Sequence, residues 1–192
     1  MNGKNLRMSP EDAAAELLET LGLSDLAAPP VDVLDIAEEH LGLDVQDHAD
    51  LFALPGAPEK VGDASLSGLL FPSQQRIYVN AVEAQRSPGR RMFTIAHELG
   101  HWQMHRSDGE AVHTRFCAKE DVSGEARSPS SRQIEWEANR FAAALLMPEA
   151  LLRREAAELQ LNVRLLAQRF GVSAPAMQVR LSTLQLLPDY MR

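Results

Sequence analysis

Apolar residues recur at helical spacing near both ends of this chain and at strand spacing in between. Ser9-Pro10-Glu11-Asp12 has the form of a helix start, with a serine cap, a proline at the first helical position and acids facing the positive end of the dipole. That helix is expected to run to Gly22. After Pro29-Pro30, Asp32 caps a second predicted helix, in which Val33, Leu34, Ile36, Ala37 and Leu41 recur until Gly42. Over residues 43–83 the pattern changes. Leu43-Asp44-Val45 alternates, residues 66–71 are mostly apolar, Pro72-Ser73-Gln74-Gln75 reads as a turn, and Arg76-Ile77-Tyr78-Val79-Asn80 is β-branched and aromatic. A small sheet with a hairpin is predicted, with Pro55-Gly56-Ala57-Pro58 as a surface loop.

Helix returns at Ser87-Pro88-Gly89, and Met92, Phe93, Ile95, Ala96, Leu99 and Gly100 give it an apolar body suited to burial. Residues 107–131 are polar and rich in Ser, Gly and charge, which predicts a long mobile loop. Another helix is expected from near Gln133 to Met147-Pro148, because the residue before a proline is pushed out of the helical region. Farther on, Ala167, Gly171 and Ser173 stand where a helix-turn-helix needs close packing, a turn and a cap. The elements predict an α+β fold, with one unit over residues 1–150 and a helix-turn-helix-like helical subdomain over 151–192.

Composition narrows the function classes. Hydrophobic residues make up 45% of the 192 and charged residues 24%, the balance of a packed globular chain. The only cysteine is Cys117, so no intramolecular disulfide can form, and no stretch approaches the roughly 18 apolar residues of a spanning helix. A polar start without a signal-like apolar run points to the cytoplasm and away from a membrane role. The net charge of −8 disfavours nonspecific nucleic-acid binding, yet it is uneven. Residues 151–192 carry six arginines against three acids, +3, whereas residues 1–150 carry thirteen basic against twenty-four acidic side chains, −11. The basic end would suit DNA, but its second predicted helix offers mainly Gln178 and Arg180 for base readout. DNA binding is therefore not expected, and packing on the core or docking of a substrate is the preferred role of that subdomain.

The chemistry is carried by His97-Glu98-Leu99-Gly100-His101. On a helix, residues four apart lie about 40° apart around the axis and about 6 Å along it, so both imidazoles can reach one zinc ion. Glu98, one step round from His97, reaches a water the metal activates and can act as general base in amide hydrolysis. The pentapeptide also occurs by chance, but two histidines and a glutamate on an apolar helix are costly unless a metal or hydrogen bonds satisfy them. A third ligand is needed. The elongated metzincin pattern would require Gly at 104 and His or Asp at 107, where the chain has Met104 and Ser107. His105 is one turn too far to share the ion. Glu135 and Glu137 remain, and residues two apart on a helix cannot both face the metal. Asn139, four residues beyond Glu135 on the same face, favours Glu135, since it can hydrogen-bond a ligating histidine. Cys117 stands outside any metal-ligand spacing and reads as incidental. Residues 76–80 read equally as an edge strand for an extended substrate or as a core strand, and Trp136 as core packing.

His97-Glu98-Leu99-Gly100-His101, followed by the run from Glu135-Trp136-Glu137-Ala138-Asn139 to Met147-Pro148, resembles the ImmA/IrrE family of metallo-endopeptidases. Pro30-Val31-Asp32-Val33, Leu66-Ser67-Gly68-Leu69 and Val79-Asn80-Ala81 are also similar, and the likeness covers roughly residues 25 to 187. Residues 102–134 look longer than the family's usual connection. The resemblance implies a zincin-like helix pair on the sheet and a thermolysin-like site. His97 and His101 would then be metal ligands, Glu98 the catalytic glutamate and Glu135 the third ligand. It also implies cleavage of a partner transcriptional repressor, relieving repression of stress, phage or mobile-element genes. The reading from another class is a zinc-stabilised regulator that binds a repressor or DNA without cutting.

Overall fold

The Ser9 hydroxyl accepts a hydrogen bond from the Asp12 amide at 3.1 Å and starts α1 (Pro10–Thr20), which buries Ala14, Leu17 and Leu18. The structure, a computed structural model, describes residues 8–60, 65–105 and 129–187. The α1 helix stops where expected, with Gly22 at φ +70°. Asp32 caps α2 (Val33–Asp35) by accepting from the amides of Leu34 and Asp35. The helix predicted to Gly42 forms over 33–40, with Gly42 left-handed at φ +65°, but it changes type on the way. Beyond Asp35 the chain widens into a π-helical turn, Ile36–His40, closed by Leu41 N–H to Ile36 C=O. Val33, Ile36 and Ala37, at the i, i+3 and i+4 spacing of one helix face, are all buried.

Three strands follow: β1 (Asp44–His48), β2 (Gly68–Phe71) and β3 (Arg76–Asn80), in the order β1-β3-β2. β2 and β3 form the predicted antiparallel hairpin around Pro72–Gln74, with Gln75 left-handed at φ +50°. β1 pairs parallel to the far side of β3. Residues 76–80 are therefore the central strand, and the edge-strand alternative fails because both rims of β3 already carry ladders. Ile77 and Val79 point into the main core, while Tyr78 packs with Leu69 and Phe71 against Leu51, Phe52, Leu54 and Ala57. The 55–58 loop is thus the end of a lid over the second sheet face.

Asn80 ends β3 and caps α3 (Ala81–Arg86) through the amides of Val82 and Glu83. α4 (Pro88–Met104) carries eight successive buried residues, 94–101, so it is enclosed on all sides. α5 (Pro129–Leu146) begins four residues ahead of Gln133, with its proline in the first turn where no amide bond is lost. It lies so close to α4 that a Cβ on Gly100 would stand 3.1 Å from the Ala138 Cα. Residues 106–128, including most of the polar stretch and Cys117, lie outside the described residues.

α6 (Glu149–Glu158), α7 (Val163–Phe170) and α8 (Ala174–Thr183) bury Leu152, Leu166, Phe170, Met177 and Leu181 in the same apolar cluster as Ile95 and Leu99 of α4. Gly171, at φ +66°, ends α7, and Ser173 caps α8 as the sequence predicts. Arg180 is not offered to the outside. It is 4% exposed, and its Nε donates to the Met147 carbonyl at 3.2 Å, completing the end of α5. Arg153, Arg154 and Arg169 pair with Glu149, Glu155 and Glu158, so most of the local basic charge is spent within the fold.

Glu155 is buried, and hydrogen bonds from Arg169 and then Arg154 hold its carboxyl below the usual range against the opposing effect of burial. The unfolded chain therefore binds a proton at higher pH than the native one, so this contribution to stability is present above the ordinary glutamate range and fades as pH falls through it. Glu155→Gln is expected to lower stability by about 1–3 kcal/mol at pH 7. In thermal melts, the gap from the native chain should shrink below about pH 4.

Candidate metal centre

Because α4 is buried all round in its middle, the side chains of His97 and His101 are only 0% and 1% exposed. Their Nε2 atoms converge to 3.0 Å. From α5, the Glu135 carboxylate completes a triangle, with Oε2 3.4 Å from His97 Nε2 and Oε1 3.5 Å from His101 Nε2. A tetrahedral ion with bonds of about 2.0–2.1 Å places its donors roughly 3.3–3.4 Å apart. The two histidine nitrogens and one oxygen of the carboxylate can take three corners of such a shell, with the Nε2 pair slightly closer than that spacing. His97 Nδ1 lies 3.0 Å from Asn139 Oδ1. An oxygen there requires Nδ1 to be the donor, which leaves the Nε2 lone pair aimed into the triangle, the tautomer a metal needs. His97, His101 and Glu135 are thus a group able to hold a metal ion.

Glu98 sits beside this triangle and is fully buried. Neither of its carboxylate oxygens has a hydrogen-bond partner among the described residues. Burial, and secondarily the charge of Glu135, pushes its pKa well above the usual range. A buried carboxyl left without partners costs stability, the mark of a group placed for chemistry.

The family model described as Peptidase_M78, the IrrE N-terminal-like domain, matches residues 52–182. The chain belongs to that family. The resemblance drawn from the two motifs is therefore borne out. This Peptidase_M78 chain is also 36% identical over 98 residues to the HTH-type transcriptional regulator PrpR of Mycobacterium tuberculosis, a match covering 51% of this chain and 19% of that protein. A solved structure of a Mycobacterium tuberculosis transcriptional regulator shares the fold with a TM-score of 0.58 at 22% identity, over 94% of this chain and 49% of that one. The chain thus spans about a fifth of the first relative and half of the second.

Of the two acids weighed as third ligand, Glu135 is brought to the histidines and Glu137 is not. Glu137 accepts from Gln133 Nε2 at 2.9 Å and faces His105 Nε2 at 3.6 Å. His105 stays outside the metal triangle, as its spacing predicts. Trp136 departs from expectation. It is 50% exposed, with the Arg140 guanidinium 4.9 Å from its ring centre and Arg140 Nε bound to Glu11 of α1 at 2.6 Å. Trp136 and Arg140 are four residues apart and share a helix face, and that face looks outward.

Gly68, part of the Leu66-Ser67-Gly68-Leu69 likeness, belongs to the site although no chemistry in its side chain points there. A Cβ there would stand 2.4 Å from Thr94 Cγ2 and 3.1 Å from Glu98 Oε1, so β2 lies directly on α4 beside the carboxyl. A glycine inside an apolar strand run is a signal of close backbone approach and could have flagged it. Gly68→Ala is expected to cost about 1–3 kcal/mol through overpacking. A melt of the metal-free protein checks this, and unchanged stability would show that β2 can withdraw from α4.

Among the described residues, no helix is long and apolar enough to cross a membrane.

Proposed function

We propose that this chain is a zinc-dependent endopeptidase that cuts one specific protein, a transcriptional repressor, with His97, His101 and Glu135 as metal ligands and Glu98 as general base. The observation that carries this reading is the convergence of three buried donors beside a buried carboxyl that has no hydrogen-bond partner among the described residues. When bound, zinc supplies Lewis acidity toward the scissile carbonyl and lowers the pKa of a water in its open position. Glu98 takes the proton from the attacking water on a carboxylate oxygen and returns it to the departing amine nitrogen, so that one water and one peptide bond give a carboxylate and an amine. Asn139 keeps His97 in the ligating tautomer. Of the two edge strands, β2 is the one that lies beside Glu98 and has no partner on its outer rim among the described residues. An extended peptide can pair there and pass over the carboxyl.

The second reading is a zinc-stabilised regulator that binds a repressor without cutting, and it draws support from relatives named as transcriptional regulators. Duplex DNA is the less favoured partner, since Arg180 is buried and three other C-terminal arginines are paired. The test incubates zinc-loaded chain, and its Glu98→Gln form, with a small helix-turn-helix repressor encoded beside it. Defined fragments by mass spectrometry from the native chain alone support the peptidase. Intact repressor in both, with zinc bound, overturns it in favour of the regulator. DNA binding that falls steeply with salt would point to a transcription factor.

A further inference from the structure

His97, His101 and His105 form a single stripe on α4 at intervals of four residues, but their rings are held in different ways. His97 is fixed by the contact to Asn139 on α5. His101 has its ring packed between the other two, 4.7 Å from the His97 ring, edge on, and 5.5 Å from the tilted His105 ring. His105 is the C-cap residue of α4, its amide bonded to the His101 carbonyl at 3.0 Å. Its side chain is 2% exposed and faces the Glu137 carboxylate at 3.6 Å, and Glu137, 8% exposed, is steadied by Gln133. Both acids of α5 therefore meet α4, Glu135 at the metal triangle and Glu137 one layer farther along the stripe.

We infer that His105 and Glu137 are positioning residues for the metal centre, holding the His101 ring and the end of α4 at the spacing from α5 that brings His101 and Glu135 onto one ion. This rests on the metal-binding reading above and extends it to two residues outside the ligand set. The physical ground is preorganisation. A ligand ring free to turn loses binding energy to its own ordering, so groups that lock a ligand contribute to affinity without touching the ion. Burial makes the His105–Glu137 contact well suited to this, because neither partner can exchange the other for bulk water without opening the helix pair.

The test measures zinc affinity of the purified full chain by competition with a chelator, and the visible absorption of the cobalt-substituted chain, for the native form, His105→Ala, Glu137→Ala and Glu137→Gln. The native chain is measured first, and failure to bind zinc there would sink the metal-centre reading itself, and this inference with it. Given native binding, His105→Ala and Glu137→Ala are expected to bind zinc roughly 10–100-fold more weakly and to shift the cobalt bands, which report ligand geometry. Glu137→Gln, which keeps the shape and one of the two acceptor oxygens, should recover part of both. Native affinity and an unchanged cobalt spectrum in the alanine variants would overturn the inference while leaving the ligands intact. If His105→Ala fails to fold, by circular dichroism of the metal-free protein, the Glu137 pair decides the matter on the same readouts.

Discussion

Glu98→Gln is expected to abolish cleavage while leaving zinc bound. The general base contributes about 10²–10⁴ in rate, and the amide nitrogen or oxygen of glutamine cannot accept the water's proton, so kcat should fall by roughly a hundredfold to ten-thousandfold. Zinc affinity should stay close to native, since the three donor atoms belong to His97, His101 and Glu135. The same substitution should also make the metal-free protein more stable. Glu98 is fully buried with neither oxygen hydrogen-bonded among the described residues, and exchanging it for a neutral group of the same shape relieves about 1–3 kcal/mol of that cost. For a chain of this size each kcal/mol moves the midpoint by about 2–4 °C, so a rise of a few degrees is readable. Lost activity with raised stability is the signature of a group kept for chemistry. Lost activity together with lost zinc would instead show that Glu98 holds the site together.

Glu135→Gln tests the ligand set. Removing one of three protein donors should weaken zinc binding by roughly two to three orders of magnitude, because a structural zinc site gathers about 10–16 kcal/mol from its four ligands together. The consequence is visible without any substrate. A ligand that binds only the folded chain raises its melting temperature with concentration, so the zinc-dependent rise expected of the native protein should vanish in Glu135→Gln at the same zinc level. Glu137→Gln, by contrast, should retain a clear zinc-dependent rise, since Glu137 lies against His105 and Gln133 instead of the ligand triangle. An equal loss in both would mean that the two acids trade places when metal binds.

Much of this architecture was legible from residues alone where the physics is local. The Ser9, Asp32 and Ser173 caps, the left-handed Gly22 and Gly171, and the hairpin around Pro72–Gln74 each depend on a few neighbouring atoms, and each forms where the chain predicts it. The His97 to His101 spacing belongs to the same class, because a helix fixes the relation of residues four apart. Asn139 marked Glu135 for a similarly local reason, since a face shared on α5 is a face shared against α4.

What the residues left open, or pointed to wrongly, was decided at a distance. Residues 76–80 have the same alternation whether they end a sheet or centre it, and only the parallel pairing of β1 makes them the middle strand. Arg180 looks like a surface cation in sequence and becomes a buried cap because the end of α5 leaves the Met147 carbonyl in reach. Trp136 looks like core and is half exposed because the faces beside it are the ones α4 and the metal triangle take up. Residues near in sequence thus determined the caps, most element ends and the His97-Glu98-His101 spacing, for these follow from bond geometry within one helix or turn. The tertiary structure alone decided which strand lies beside Glu98 and which charges are buried, since those depend on how separate elements pack once their apolar faces are shared.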